Sequence, residues 1–292
     1  MYCKVAGLLW LTAVFASPDP GWAAQTGLLV VAHGSSREWN DQVRQTVAQV
    51  RWPHGPTATA FLMGPEAETR GWNHGMAELA AAGVRSIVVV PLMVSSHGSH
   101  YRQIRFYAGE LPHLPPELRG HDHGDHTAPP VPTRVTPALD AAPELLEAVA
   151  TRWTELPPPL RDAPMLLLGH GPNDESDAVR WIAALETSLE QVRALGYRGE
   201  ARPALLRDDA PPPVRAAAIS GLRDSVMVLA ARNRDSVTVM TVMVARGPMT
   251  SARIPQELRG LPVRYAPAGL TPLPAIARWI ERVAGETLVV GR

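Results

Sequence analysis

The 292-residue chain has one cysteine, Cys3, one lysine, Lys4, and no net charge, because 28 basic and 28 acidic residues cancel. A lone cysteine excludes an intramolecular disulfide and any thiolate metal site, so protein ligands to a metal must be nitrogen or oxygen. The absence of lysine after Lys4 excludes a Walker-type phosphate loop, Schiff-base chemistry and a pyridoxal phosphate attachment point. Arginine carries the positive charge, and its balance against acid gives no electrostatic footprint for nucleic acid. The apolar stretch Val5 to Phe15 is too short to span a bilayer. With Lys4 before it and Gly21-Trp22-Ala23-Ala24 after it, residues 1–24 read as a secretory signal peptide cut after Ala23 or Ala24. That reading predicts a periplasmic or secreted protein with no membrane span once the signal is removed.

What the chain does have is apolar content, 46% of its residues, enough for the cores of two ordinary domains. Leu28-Leu29-Val30-Val31-Ala32 is apolar at every position, the pattern of a strand buried on both faces of a parallel sheet. His33 follows at the carboxyl end of that strand, and Gly34-Ser35-Ser36 then opens a helix. Ligands of open α/β sheets bind outside the carboxyl ends of strands, near such helix starts. A turn histidine that caps the next helix is the other reading of this stretch.

The chain also repeats itself. LLVVAHGSS (Leu28 to Ser36) returns as LLLGHGPND (Leu166 to Asp174), so His33-Gly34 corresponds to His170-Gly171. SIVVVPLMV (Ser86 to Val94) returns as SVTVMTVMV (Ser236 to Val244), and Ile104 corresponds to Ile254. Two motifs in the same order argue for a duplicated domain. Between the copies, Leu111 to about Ala163 is rich in proline and histidine, apart from a helix-like segment that should close the first domain. The expected division is 25–156, with a His-rich loop at about 113–130, and 164–292. Each copy reads as strand, helix, strand, helix, strand, loop, strand. Thr57 to Leu62 and Ala201 to Leu206 are the second strands, and Trp72 to Ala82 and Pro211 to Leu222 are helices. The expected fold class is α/β, two tandem doubly wound parallel-sheet domains with a cleft between them. Such a chain forms its cleft internally, which predicts a monomer.

The copies differ in their histidines, nine of the ten lying in the first half. The loop PLMVSSHGSHYRQI carries His97 and His100, whereas TVMVARGPMTSARI has Gly247 and Thr250 at those places. If both strand-end loops converge, His33 and one of His97 or His100 offer two imidazoles to a divalent ion of the cobalt, nickel, iron or zinc type. Two protein ligands leave coordination positions open, as a site that hands its metal on requires. A third ligand would be Glu66, His74, His97 or water. A second candidate is the tract His121-Asp122-His123-Gly124-Asp125-His126, with His113 upstream, which either gathers metal or is a solvated polar loop.

The residues AHGSS, AFLMGPE, VVVPLMVSSHGSH and RDDAPPPVRAAA give the chain a resemblance to the sirohydrochlorin chelatases of CbiX/SirB type, relatives of ferrochelatase. The resemblance spans most of the chain beyond the signal. It implies two flavodoxin-like domains, a tetrapyrrole in the cleft and a metal, cobalt, iron or nickel, held on histidines of the first domain. His33 matches the family's first histidine, and His100 or its competitor His97 the second. Glu66 falls at the family's acidic position. His33, His100 and Glu66 are therefore the expected catalytic residues. Inserting a divalent ion removes two pyrrole N–H protons, a task for a neutral imidazole or a carboxylate. Without lysine, the substrate's carboxylates would meet arginines, with Arg37, Arg102, Arg105 and Arg246 as candidates. The signal peptide departs from the cytoplasmic setting of the family. It leaves a periplasmic metal- or tetrapyrrole-binding protein without turnover as the alternative.

Overall fold

A computed structural model describes residues 25–118 and 126–290, so the signal segment, His121 and His123 lie outside the described residues. Two four-stranded parallel sheets form the frame. The first contains β1 (Thr26–Ala32), β2 (Thr57–Phe61), β3 (Ser86–Leu92) and β4 (Thr133–Val135) in the order β2-β1-β3-β4. The second contains β5 (Met165–Gly169), β6 (Ala201–Leu205), β7 (Val237–Val242) and β8 (Val263–Ala266) in the order β6-β5-β7-β8. β1 and β3 pair along their full length, from Thr26 opposite Ser86 to Ala32 opposite Leu92. In both sheets the strand order reverses at the first strand, which opens a crevice beyond the carboxyl ends of β1 and β3, and of β5 and β7.

The long helices are α1 (Arg37–Val47), α2 (Trp72–Ala81), α3 (Ser99–Tyr107), α4 (Pro143–Thr154), α5 (Glu175–Ala194), α6 (Pro212–Asn233) and α7 (Pro274–Val290). The segment after β3, expected as loop, folds into α3 because Gln103, Ile104 and Tyr107 recur at helical spacing and are buried. α6 runs well past Leu222, since nothing in Arg223 to Asn233 breaks it, and stops at Arg234 in the left-handed conformation.

Alternation along the strands explains the layers. Leu29, Val31, Ile87 and Val89 face Trp72, Met76, Leu79, Ile104 and Tyr107 on one side of the first sheet. Leu166, Leu168, Val237 and Val239 face Leu222, Val226 and Leu229 on the outer side of the second. The inner faces share one core. Leu28, Val30, Val88 and Val90 belong to the same apolar cluster as Leu167, Met240 and Val242, filled in by Leu185, Leu189, Trp153, Trp279 and Ile280. The last helix of each half crosses over: α4 packs on α5 of the second half, and α7 packs on α4, β3 and α1. Arg282 of α7 holds both carboxylate oxygens of Glu144 at 2.7 Å. No described helix is long and apolar enough to cross a membrane.

Candidate active site

His33 leaves β1 where the chain must turn sharply toward α1. Gly34 makes the turn at φ 84°, and a Cβ there would lie 2.2 Å from the Met63 carbonyl oxygen, so glycine is required twice over. The Gly34 carbonyl accepts from His33 Nδ1 at 2.8 Å. A carbonyl can only accept, so the proton sits on Nδ1 and Nε2 carries the ring's lone pair. His100, on the first turn of α3, meets the His33 ring edge to face with centroids 4.8 Å apart. Gln103 gives its amide N–H to the Tyr107 hydroxyl at 2.8 Å and turns its oxygen to His100 Nδ1 at 3.0 Å, fixing the same tautomer. Burial, then the His100 imidazole beside it, pulls the His33 imidazolium down to about 4, so this ring is neutral near neutral pH.

The loop that carries His97 and His100 is braced by Asp140, which accepts from Ser95 Oγ at 3.0 Å, Ser96 N at 2.8 Å and Ser96 Oγ at 2.6 Å. The second half braces it as well. Trp181 Nε1 donates to the His97 carbonyl at 2.6 Å, and Asp177 accepts from Arg102 at 2.7 Å while lying 3.9 Å from His97 Nδ1. The structure thus sets His100 against His33 and turns His97 toward α5. Trp181 also packs at the end of β5, 3.5 Å from where a Gly169 Cβ would stand, and His170, the next residue, has Asp209 Oδ2 3.5 Å from its Nε2.

The other expected residues are placed as follows. Glu66 accepts from Asn40 at 3.0 Å and from Arg44 at 2.6 Å, so both its oxygens are engaged. Burial pushes its carboxyl up, but these hydrogen bonds outweigh burial and hold it below the ordinary range. Arg102 is bound to Asp177 and Glu117, and Arg105 to Glu110. Arg37 and Arg246 are exposed, with no ion pair among the described residues. Arg37 lines a recess of about 580 Å³ with Ser35, Asn40, Arg44 and Arg70. The Arg246 backbone exchanges two hydrogen bonds with Gln42 of α1, which holds its loop against the first half. His74 is exposed on the first turn of α2. His126 stacks on Tyr107 with centroids 4.5 Å apart, an aromatic packing role within the His-rich loop. Among the described residues no three His, Cys, Asp or Glu side chains are grouped so as to hold a metal ion.

Residues 27–156 match the CbiX family model. That stretch, the first half of the chain, carries a CbiX domain. Its CbiX domain therefore contains both imidazoles described above. No curated protein matches the chain by sequence. Among solved structures, the sirohydrochlorin chelatase SirB from Bacillus subtilis subspecies spizizenii in complex with cobalt aligns at TM-score 0.60 and 16% identity, over 90% of this chain and 95% of that one. SirB from Bacillus subtilis with Fe3+ gives 0.58 and 19% over the same shares. A multi-domain Deinococcus radiodurans protein with structural similarity to chelatases gives 0.53 and 18%, over 90% of this chain and 55% of that one. At these identities the likenesses establish the fold: two α/β units arranged as in chelatases, the CbiX domain first.

Sequence reasoning missed Asp140, Asp177, Trp181 and Asp209 as parts of the site. Only the duplication hinted at the second wall, because it puts His170 at the strand end equivalent to that of His33.

Proposed function

We propose that the protein is a metal chelatase that inserts a divalent ion, cobalt or iron, into a sirohydrochlorin-type tetrapyrrole bound between its two halves. The observation that carries this reading is the pair His33 and His100, two imidazoles in contact whose Nδ1 protons are both committed, so that both Nε2 lone pairs are the coordinating atoms. Two soft nitrogen ligands hold such an ion without closing its coordination sphere, leaving positions for water and then for pyrrole nitrogens. His33 is neutral at working pH and needs no deprotonation before it binds. Arg37 and Arg246, from opposite halves, are the cations open to the substrate's peripheral carboxylates. Glu66, tied to Arg44 and Asn40, fixes the segment beneath the site. His97 serves the loop rather than the ion. His121 and His123 raise metal loading when metal is scarce. The protein acts as a monomer after export to the periplasm.

The test is an anaerobic absorbance time course with sirohydrochlorin and Co2+, wild type beside His33→Ala. Catalytic spectral conversion that is lost in the variant supports the reading. A stoichiometric shift without turnover makes the protein a binding protein, and unchanged turnover in His33→Ala removes the assigned site.

A further inference from the structure

The second half repeats the strand-end device of the first and then departs from it. His170 Nδ1 donates to the Gly171 carbonyl at 3.0 Å, as His33 does to Gly34, and Gly171 turns at φ 81°. Both rings are thereby locked in the tautomer that presents Nε2. Beside His33 stands a second imidazole. Beside His170 stands a carboxylate, with Asp209 Oδ2 3.5 Å from His170 Nε2. The loop that would supply another imidazole has Gly247 and Thr250, and the Thr250 hydroxyl is spent on Gly247. This wall thus offers one imidazole and one carboxylate, and it adjoins the first: Trp181, which donates to the His97 carbonyl at 2.6 Å, lies 3.5 Å from where a Cβ on Gly169, the residue before His170, would stand.

Metal insertion leaves a chemical requirement that the first wall cannot meet. Each pyrrole N–H bond that breaks leaves its electron pair on nitrogen, where it becomes the bond to the metal, and the proton needs an acceptor. An imidazole whose Nε2 lone pair already binds the metal has nothing left with which to take that proton. We propose that His170, backed by Asp209, is the proton acceptor of the reaction, so that the duplicated strand ends have divided the work: metal on the first wall, protons on the second. The inference rests on the chelatase reading above. The proton moves from pyrrole nitrogen to His170 Nε2. The resulting imidazolium keeps its Nδ1–H on the Gly171 carbonyl and gains its new Nε2–H beside the Asp209 carboxylate, whose charge favours the protonated ring. The Asp209 side chain is 60% exposed, so water reaches Nε2 beside it, takes the proton and resets His170 for the second N–H. Two protons leave, one ion enters, and no oxidant or reductant is needed. Asp209 acts through His170 and is a positioning residue.

The experiment measures Co2+ binding at equilibrium and turnover with sirohydrochlorin for wild type, His170→Ala, Asp209→Asn and Asp209→Glu. Expected for His170→Ala is Co2+ affinity within about twofold of wild type and turnover reduced about 10²-fold or more, restored in part by added imidazole. Asp209→Asn is expected to lose about tenfold and Asp209→Glu to retain most activity. Wild-type turnover in His170→Ala overturns the inference, as does a His170→Ala variant that loses Co2+ binding together with activity. Absence of turnover in the wild type overturns the chelatase reading itself, and this inference with it.

Discussion

Replacing Gly34 with alanine isolates the contribution of one turn to both stability and the metal site. Among the glycines with a left-handed backbone are Gly34 at φ 84°, Gly171 at 81° and Gly83 at 77°. They differ in what a methyl group would meet. At Gly83 it meets nothing within 4 Å, at Gly171 the Leu205 Cβ at 2.9 Å, and at Gly34 a backbone carbonyl oxygen at 2.2 Å with Phe61 Cβ at 2.9 Å. Gly83→Ala therefore carries the backbone term alone, about 1–2 kcal/mol. Gly171→Ala adds crowding against the Leu205 Cβ, a longer contact than the one at Gly34. Gly34→Ala adds overpacking against main chain, about 1–3 kcal/mol more. For a chain of this size the melting temperature should fall by about 4 °C for Gly83→Ala and by about 10 °C for Gly34→Ala, with Gly171→Ala between them. Because the displaced Gly34 carbonyl is what sets the His33 tautomer, Gly34→Ala should also weaken Co2+ binding about tenfold or more, while Gly83→Ala leaves it unchanged. Circular-dichroism melts and Co2+ titration of the three variants test this. A Gly34→Ala melt no lower than that of Gly83→Ala, with intact Co2+ affinity, would refute the reasoning.

Two further outcomes are expected. Asp177→Asn removes the charge that pairs with Arg102 and braces the His97–His100 loop from the other half, so Co2+ affinity should drop about tenfold, by titration, with little change in melting temperature. The other concerns acid. The unfolded chain protonates His33 as pH falls through about 6.5, whereas the folded ring stays neutral to about 4. The folded pKa is depressed, so stability is lost across that window as pH falls, by on the order of 2 kcal/mol, and His33→Asn should flatten the dependence of the urea midpoint between about pH 7 and about pH 4.5.

The sheet architecture was legible because a strand covered on both faces leaves an apolar run, unbroken in Leu28–Ala32 of β1, Ile87–Leu92 of β3 and Met165–Gly169 of β5, and broken only by Thr238 and Thr241 in the equally buried β7. The duplication made the second sheet readable from the first, and the chelatase structures bear out the fold, with the CbiX match falling on the first half. Helix exchange was not legible. An apolar stripe on α7 announces burial but not the partner, and α7 is drawn to β3 of the other half. His33 was visible as a polar residue ending an apolar strand. The choice between His97 and His100 was not, because it turns on which way α3 begins after Gly98, and that is fixed by Trp181 and Asp177, remote in sequence. Glu66 and Arg102 show the limit of reading charge from a motif: a charged side chain near a site is as readily consumed by a neighbour such as Arg44 or Asp177.

The crossing of α7 onto the first sheet also sets an order of events during biosynthesis. Val88 and Val90 are among the earliest core residues to leave the ribosome, and part of their cover, Trp279 and Ile280, is among the last. A nascent chain that has reached only Ala163 has a sheet with one face waiting for a helix not yet made. Maturation is thus tied to completion of the polypeptide, and a truncated first half would expose an adhesive surface instead of behaving as an independent module.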